Sequence, residues 1–486
     1  MNPRLLLHTI VHLRPKQVFY QLGYRLHKPQ YKAFEALQEV MPKLQTEPIP
    51  RNRCLEGEAF TFLNLEHEFA GWNFTDNGML WAYNQNYFDW LNQEGMTEKE
   101  GCRWMDRFIV ELLSNKVGLD PYPIALRSIN WIKFFCRYPG CATKERLDSL
   151  YSQVKLLEEK LEYHLLANHL LEDAYALYIA AAFFHDIRLQ KKAIRLLLEQ
   201  LKEQTLSDGG HYEQSPMYHS ILLDRLLDCI NIAPMEELKS FAERQIGWLK
   251  SICYQDGNYP LFNDAAERIA PKPVDIMDYA CRLGIDNEAT PLGVSGYRKL
   301  SNERMEAFVD IGDITATYQP GHTHADTFNY ELRIEGKPFV VDTGISTYNK
   351  NERRQYERST VAHNTVSVDG KDSSEVWGGF RVGRRAKVKV TNQTHNKIVA
   401  SHNGFEKPCK RGFCMTEESF VVEDWYDGEA VSFIHLAEGA DLNRVNIDGA
   451  LRIEVIDGRY STEYNKFIIG KVIKIHFNGN LKYTIK

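Results

Sequence analysis

Two histidines separated by one residue are the clearest chemical feature of the sequence. They are His322 and His324, in the segment Gly-His-Thr-His-Ala-Asp. In a strand, or in the approach to one, residues two positions apart point to the same side of the backbone, so both imidazoles can enter one pocket. Such a pair suits a metal ion, a proton relay, or one of each. The ordinary alternative for either histidine alone is a hydrogen-bonded surface residue.

A carboxylate and a third imidazole follow, so that all four side chains fall within 42 positions. Asp342 ends an apolar run, and His363 precedes Asn-Thr-Val. Two imidazoles and one carboxylate are ligands that suit Zn²⁺. The whole chain has only 16 histidines, so this concentration favours a site. We therefore expect His324, Asp342 and His363 to hold one zinc ion.

A second polar cluster lies earlier in the chain. Asn168 and His169 are followed by Glu172, and the last two are three positions apart, which makes them neighbours on one helical face. We expect Glu172 to orient His169 and to raise its basicity. The apolar run at 174–184 predicts a buried helix, and polar groups that introduce a buried helix need partners. Tyr218 lies in a later segment rich in Tyr and His, where a phenol could transfer a proton, although a single tyrosine is more often a core residue.

The surrounding pattern predicts a helical part and a β part. From about 104 to 283 the apolar residues recur at helical spacing. Two similar Asp-Gly turns at Asp208 and Asp256, 48 residues apart, fit a helical hairpin repeat with its loops gathered at one end. After about residue 300 apolar and polar residues alternate, and five Asp-Gly or Asn-Gly dipeptides predict antiparallel hairpins, hence a β-sandwich.

We expect three units with a linker near 290–305. They are a helical and loop-rich opening at 1–100, a helical array at 101–300, and a β domain at 301–486.

Composition excludes several classes of protein. The chain has 486 residues, 59 basic and 65 acidic, and 43% hydrophobic content, which excludes a disordered chain and a nucleic-acid coat protein. Nine scattered cysteines without a Cys-x-x-Cys pair predict no disulfide framework. We find no signal peptide and no apolar run long enough to span a bilayer. One segment, 350–389, has ten basic and five acidic residues and could bind a polyanion through its arginines.

Five strings in order resemble the signatures of the heparinase II/III-like polysaccharide lyases, a superfamily that includes certain alginate lyases. The strings are Asn168-His-Leu-Leu-Glu, Glu213-Gln-Ser-Pro-Met-Tyr, Gly321-His-Thr-His-Ala-Asp, Val341-Asp-Thr-Gly and Arg358-Ser-Thr-Val-Ala-His-Asn-Thr-Val. The resemblance implies an α+β multidomain fold, with an N-terminal incomplete (α/α) toroid followed by a C-terminal antiparallel β-sandwich. It also implies a lyase that cleaves a uronic-acid-containing polysaccharide, such as a glycosaminoglycan or alginate, by β-elimination.

The resemblance also assigns roles to residues. Asn168 and His169 match positions that neutralise the uronate carboxylate, Tyr218 matches an acid/base, and His322 matches an assisting histidine. Three further residues match positions that bind substrate: Glu172, Tyr348 and Arg358. Another three match the ligands of one structural zinc ion: His324, Asp342 and His363.

Two other functions stay open. One is a glycoside hydrolase whose carboxylates pair across a cleft, with Glu172, Glu213 and Asp264 as candidates. The other is a non-catalytic polysaccharide-binding or assembly protein of the same fold. We expect an acidic polysaccharide as partner, no nucleic acid and no membrane span, with a homodimer as one option. The resemblance implies the periplasm or cell envelope, and the absent signal peptide makes the cytoplasm the alternative; the polysaccharide, its linkage and sulfation, and endo or exo cleavage are left open.

Overall fold

The computed structural model describes residues 3–26, 28–37 and 42–486. Helices occupy most of the chain before residue 283. They are α1 (Pro3–Ile10), α2 (Pro15–Leu26), α3 (Met79–Tyr87), α4 (Glu98–Glu111), α5 (Pro121–Arg137), α6 (Lys144–Glu159), α7 (Ala167–Phe184), α8 (Ile187–Gln204), α9 (Pro216–Ile232), α10 (Glu236–Ile252) and α11 (Pro273–Arg282), and a short α12 (Glu352–Glu357) follows later.

Helix α7 is the centre of this helical region. It packs against α5, α6, α8 and α9, and nearly all of its side chains are buried. A helix that is apolar on every side is stable only when other elements surround it. The buried helix predicted for 174–184 is therefore confirmed.

Strands dominate the chain after residue 296. The strands of the whole chain are β1 (Leu55–Glu56), β2 (Ala59–Phe62), β3 (Leu65–Glu68), β4 (Tyr297–Ser301), β5 (Met305–Asp310), β6 (Tyr330–Ile334), β7 (Lys337–Val340), β8 (Val366–Ser367), β9 (Val376–Trp377), β10 (Arg381–Val382), β11 (Val388–Gln393), β12 (Lys397–His402), β13 (Cys409–Met415), β14 (Phe420–Leu436), β15 (Val445–Tyr460) and β16 (Ile468–Ile485).

One large antiparallel sheet organises the β region. Its order is β11-β12-β13-β14-β7-β6-β5-β4, with β8 and β16 also paired to β14 and β15 paired to β16. An apolar cluster of its own lines the sheet, separate from the core of the helical region. The structure therefore has a helical N-terminal region and an antiparallel β region. Closure of the helices into a toroid and division of the sheet into a sandwich stay predictions.

The β region uses its Asp-Gly and Asn-Gly dipeptides differently from the prediction. Asp369-Gly370 forms a tight turn, closed by pairing between the flanking residues. The other four dipeptides lie inside strands, so the hairpin turns predicted there are wrong; they are Asp427-Gly428 in β14, Asp448-Gly449 and Asp457-Gly458 in β15, and Asn478-Gly479 in β16. Register shifts interrupt β14 and β15 at the first two of these four. A bulge at a glycine bends a strand without ending it.

The first hundred residues contain more than the predicted helices and loops. A small three-stranded sheet, β1-β2-β3, lies between α2 and α3. Cys102 and Cys141 form a disulfide, one pairing that the scattered cysteines did not predict. None of the described helices is long and apolar enough to cross a membrane. The division of the chain at residues 100 and 300 stays a prediction.

Loops at one end of the helical region contact the sheet. The loop after α8 and the loop after α10 meet where Ser215 Oγ donates to the Asp264 carbonyl at 2.6 Å. On the sheet, Glu331 accepts from the Leu261 amide at 2.9 Å and from Tyr254 Oη at 3.0 Å. The two Asp-Gly loops are thus gathered at one end, as their similarity predicts, and they bring the helical region against the β region.

Candidate active site

A buried carboxylate lies at the centre of the junction between the two regions. Asp264, in the loop after α10, accepts from His322 Nδ1 and His324 Nε2, each at 2.8 Å. Arg354 on α12 donates to the same carboxylate from both terminal nitrogens, at 2.5 and 2.7 Å. Burial alone would raise the pKa of Asp264, but the Arg354 guanidinium and the two histidines hold it well below its usual range. Asp264 is therefore ionised at neutral pH.

This carboxylate fixes the protonation of His322. Asp264 occupies Nδ1, which leaves Nε2 to accept a proton or a hydrogen bond. Asn168 Nδ2 lies 3.3 Å from Nε2. The amide of Asn168 is held in that orientation because Nδ2 also donates to both carboxylate oxygens of Glu213, at 3.1 and 3.0 Å. Nε2 of His322 consequently faces the Asn168 amide, and Glu213 Oε2 lies 3.4 Å from the same nitrogen.

Tyr218 lies against the face of His322. The two rings are 3.9 Å apart between centroids and inclined by 31°. Tyr218 is in the first turn of α9, where Ser215 Oγ caps the helix by accepting from the Tyr218 amide and Pro216 begins it. Burial raises the pKa of Tyr218 well above that of a free phenol. The phenol is therefore protonated at neutral pH.

Tyr348 completes the aromatic side of the site. Its hydroxyl is 3.2 Å from Tyr218 Oη and 3.4 Å from His322 Nδ1. Tyr464, from the segment between β15 and β16, meets the Tyr348 ring edge to face at 5.4 Å. Tyr218 and Tyr348 are only partly buried. Substrate could therefore reach this side of the site.

His169 has a different partner from the one predicted. Its Nδ1 is 3.0 Å from Glu162, which lies in the loop before α7. Glu172 instead points into the helical core, where Arg225 is 3.9 Å away and burial raises the Glu172 pKa to about 7. The prediction that Glu172 orients His169 is therefore wrong. The loop before α7 folds back over the first turn of α7, and this brings the Glu162 carboxylate to His169. Burial lowers the pKa of His169, but the Glu162 carboxylate outweighs burial and raises it overall.

Two arginines of the arginine-rich segment do not reach solvent. Arg354 and Arg358 are fully buried. Arg358 donates from Nε and Nη2 to the Thr323 carbonyl, at 3.2 and 2.7 Å, and so supports the loop between the two site histidines. Burial lowers its pKa to about 9. The sequence predicts a substrate contact for Arg358, whereas in the structure its guanidinium is buried and donates hydrogen bonds to the protein itself.

The three residues expected to bind zinc are close neighbours. His363 Nδ1 lies 2.8 Å from Asp342 Oδ2, and the His324 and His363 rings are 5.3 Å apart. His324 Nδ1 is buried without a hydrogen-bond partner, as expected for a nitrogen that could bind a metal. Their donor chemistry fits zinc. Across the part of the chain that the structure describes, however, no three His, Cys, Asp or Glu side chains stand ready as a ligand group, so zinc stays a prediction.

Several residues of the site were not assigned these positions from the sequence. Asp264 was considered only as a hydrolase carboxylate, although it lies in the second Asp-Gly loop, which was expected to join the first. Glu162 and Tyr464 carried no signal, because each reaches the site through a fold-back or a distant segment. Arg354 was expected only as one of the arginines of the basic segment 350–389. Contacts link Asn168, Tyr218, His322 and Tyr348 to one another, and His169 is the neighbour of Asn168 in the chain. Their assignment as site residues, and their chemical roles, stay predictions.

Comparison with known families gives two adjoining matches. The model of the heparinase II/III N-terminus matches residues 144–275, and the model described as heparinase II/III-like, C-terminal, matches residues 285–446. Together they cover more than half of the chain. They include every residue of the site described above except Tyr348's neighbour, Tyr464.

Similar proteins carry the name heparin-sulfate lyase. The chain is 28% identical to that of Pedobacter heparinus over 264 residues, which are 47% of this chain and 40% of the relative. It is 24% identical to that of Bacteroides stercoris over 313 residues, which are 56% of this chain and 46% of the relative. The chain thus spans less than half the length of these two relatives.

Solved structures of similar fold are heparinases. One crystal structure of heparinase III has a TM-score of 0.67 and 15% identity, and the match covers 96% of this chain and 90% of that one. Another heparinase III has a TM-score of 0.61 and 18% identity, covering 84% and 74%. At these identities the likeness concerns the fold. With both family models matched in order along its sequence, the chain belongs to the heparinase II/III-like family.

Proposed function

We propose that this protein is a polysaccharide lyase that cleaves a uronic-acid-containing acidic polysaccharide by β-elimination. The observation that carries the proposal is the stacking of Tyr218 on His322 at 3.9 Å, with the Asn168 amide 3.3 Å from His322 Nε2. The names of the similar lyases support a glycosaminoglycan as the first substrate class to test. Alginate belongs in the same test because it is also a uronate polymer.

The reaction needs a proton acceptor, a proton donor and a group that neutralises charge. Loss of the C5 proton of the uronate is difficult because negative charge develops beside an existing carboxylate. As the C5–H electrons form the C4–C5 double bond, the C4–O bond breaks and its electron pair leaves with the glycosidic oxygen. A proton must reach that oxygen. Preorganised donors at the carboxylate stabilise the developing charge by several kcal/mol, on the order of what one oxyanion-hole donor contributes.

The side chains supply these three functions. Tyr218 is the acid/base, and its raised pKa suits donation to the leaving oxygen. His322 assists, because Asp264 holds Nδ1 and leaves Nε2 able to accept the C5 proton. We propose that Asn168 and His169 neutralise the uronate carboxylate, as the family resemblance implies.

The hydrolase alternative is weaker in this arrangement. A hydrolase needs two carboxyl groups placed on either side of the glycosidic bond. Asp264 is occupied by two histidines and an arginine, and Glu213 by Asn168. Both carboxylates are fully buried. Glu172 points away into the helical core, so none of the three candidates faces a substrate.

The detailed architecture of the two regions is also a proposal. We propose that the helices form an incomplete toroid and that the sheet folds into a sandwich, as the heparinase III likeness supports. The periplasmic or envelope location and the homodimer stay predictions.

The lyase proposal is tested with a panel of uronate polymers, including heparan sulfate, chondroitin sulfate and alginate. We expect at least one polymer to yield the ultraviolet absorbance of an unsaturated uronate. New reducing ends without that absorbance would indicate hydrolysis. No cleavage of any polymer would favour the binding protein.

Replacing Tyr218 by Phe removes only the hydroxyl that transfers the proton. We expect Tyr218→Phe to lower kcat/KM by about 10²–10⁴-fold, the usual contribution of a positioned acid or base, with an unchanged melting temperature. Tyr138→Phe is the matched control, because that partly buried phenol donates only to the Met96 carbonyl, at 3.3 Å. Full activity in Tyr218→Phe would refute the assignment.

The pKa of His169 predicts how activity changes at high pH. A raised pKa extends the positive charge of His169 to higher pH than in a free imidazole, and the charge is lost as pH rises through that pKa. Replacing Glu162 by Gln removes the carboxylate that contributes most to raising the pKa of His169. We expect the alkaline limb of the kcat/KM profile to move to lower pH in Glu162→Gln and to stay in place in Glu159→Gln, where the exposed glutamate is the last residue of α6. An unmoved limb in Glu162→Gln would mean that His169 does not act as a cation.

We propose that His324, Asp342 and His363 hold one structural zinc ion. Bound there, zinc would brace the segments that carry the three side chains. Elemental analysis of protein purified with zinc present is expected to find one zinc per chain, and a chelator is expected to lower the melting temperature. His363→Gln should lose the zinc, while His395→Gln, in the turn between β11 and β12, should keep it. Protein that contains no zinc after this treatment would overturn the proposal.

A further inference from the structure

The N-terminal helices turn their apolar side chains outward. Leu7, Val11, Phe19, Leu22 and Leu26 are 61%, 68%, 70%, 55% and 89% exposed. Helix α1 has no buried residue, and the buried residue of α2 is a glutamine, Gln17. A helix on a protein surface normally buries its apolar stripe and exposes its polar one. In α1 and α2 several of the largest apolar side chains are exposed instead.

Polar contacts hold the inner face of these helices to the rest of the molecule. Gln17 Nε2 donates to the carbonyls of Leu165 and Tyr318, at 3.2 and 3.3 Å. His8 Nδ1 is 2.7 Å from Glu375, and Trp377 Nε1 donates to Thr9 Oγ1 at 3.0 Å. The helices are therefore fixed to both the helical and the β region. Their apolar face is presented as a fixed surface.

The charge near the exposed apolar face of α1 and α2 indicates which kind of partner could bind there. Residues 3–26 contain four Lys or Arg residues and no Asp or Glu, and one of the four, Arg14, forms an ion pair with Glu203 of α8. Lys28 adds another exposed cation after α2. Arg385 and Lys387 lie close enough to His12 that, together with burial, they lower its pKa. A second copy of the same surface would meet it with like charge, so symmetric self-association is disfavoured.

We propose that α1 and α2 dock the protein on an anionic membrane surface. Outward apolar side chains beside basic residues are the features of helices that lie in the interface of a bilayer. The two helices do not cross the bilayer: they are 8 and 12 residues long, and about 20 are needed. This inference does not depend on the proposed lyase activity.

Docking would hold the candidate active site near the membrane. The carbonyl partners of Gln17 lie three residues before Asn168 and four residues before His322. One side chain of α2 thus touches both segments that carry the site. An acidic polysaccharide attached to, or emerging from, the same membrane would meet the site directly.

Vesicle flotation tests the proposal with the full chain. Wild-type protein is expected to float with vesicles of phosphatidylcholine and phosphatidylglycerol, and much less with phosphatidylcholine alone. Binding should weaken in 1 M salt, where the Debye length is about 3 Å. Absence of binding to the anionic vesicles would overturn the proposal.

Two double variants test whether vesicle binding depends on this surface or on exposed apolar side chains in general. Phe19→Ser with Leu22→Ser should weaken vesicle binding at least about tenfold, because two large apolar side chains no longer enter the interface. Val110→Ser with Leu113→Ser is the matched control: these residues on and after α4 are 84% and 75% exposed. Equal binding by both double variants would contradict the assignment of the surface.

Charge and fold are checked separately. Arg25→Gln with Lys28→Gln should weaken binding by about tenfold or more, since each cation near an anionic surface adds attraction. Circular dichroism and melting of every variant should match wild type. Light scattering that shows a wild-type dimer and a monomeric Phe19→Ser, Leu22→Ser variant, without vesicle binding, would assign the surface to self-association and overturn the membrane proposal.

Discussion

The rest of the structure depends on one buried carboxylate, Asp264. It belongs to a loop of the helical region, and its three partners belong to the β region. Removing one member of a buried charged pair typically costs about 3–5 kcal/mol, because the other charge is left without a partner. The ion pair with Arg354 therefore ties the two regions together at the same point where the candidate chemistry lies.

The same carboxylate connects architecture with reactivity. A buried carboxylate on one ring nitrogen is a general way for enzymes to fix the tautomer of a histidine. Here it acts on His322, whose other nitrogen faces Asn168, while the ring face packs on Tyr218. Asn168 and Tyr218 come from the first turns of α7 and α9, and His322 from the β region. The proposed site exists only when the helical and β regions are assembled.

Local pattern was enough to predict some of this arrangement. The spacing of His322 and His324 places both on one side of the backbone, and both reach the same carboxylate. The apolar run after Glu172 predicted a buried helix because burial on all sides leaves a clear mark in composition. Loops that carry similar Asp-Gly turns were expected together, and they are. In each case the physical cause acts over a few residues or repeats along the chain.

What could not be predicted depends on contacts between distant segments. Glu162 reaches His169 only because the loop before α7 folds back, so helical spacing pointed to Glu172 instead. Arg354 and Arg358 looked like surface charge in the sequence, yet each finds buried acceptors from other elements. Asp427-Gly428 in β14 and Asp448-Gly449 in β15 have the same composition as hairpin turns, and only the neighbouring strands decide that they lie at register shifts within a strand.

The protonation of the His322 ring is the most direct test of this account. Nitrogen NMR of histidine-labelled protein at neutral pH, with His322→Gln to assign the signals, reports which ring nitrogen carries the proton. We expect the neutral His322 ring to carry its proton on Nδ1, bound to Asp264. A neutral ring with its proton on Nε2 and none on Nδ1 would contradict the assignment.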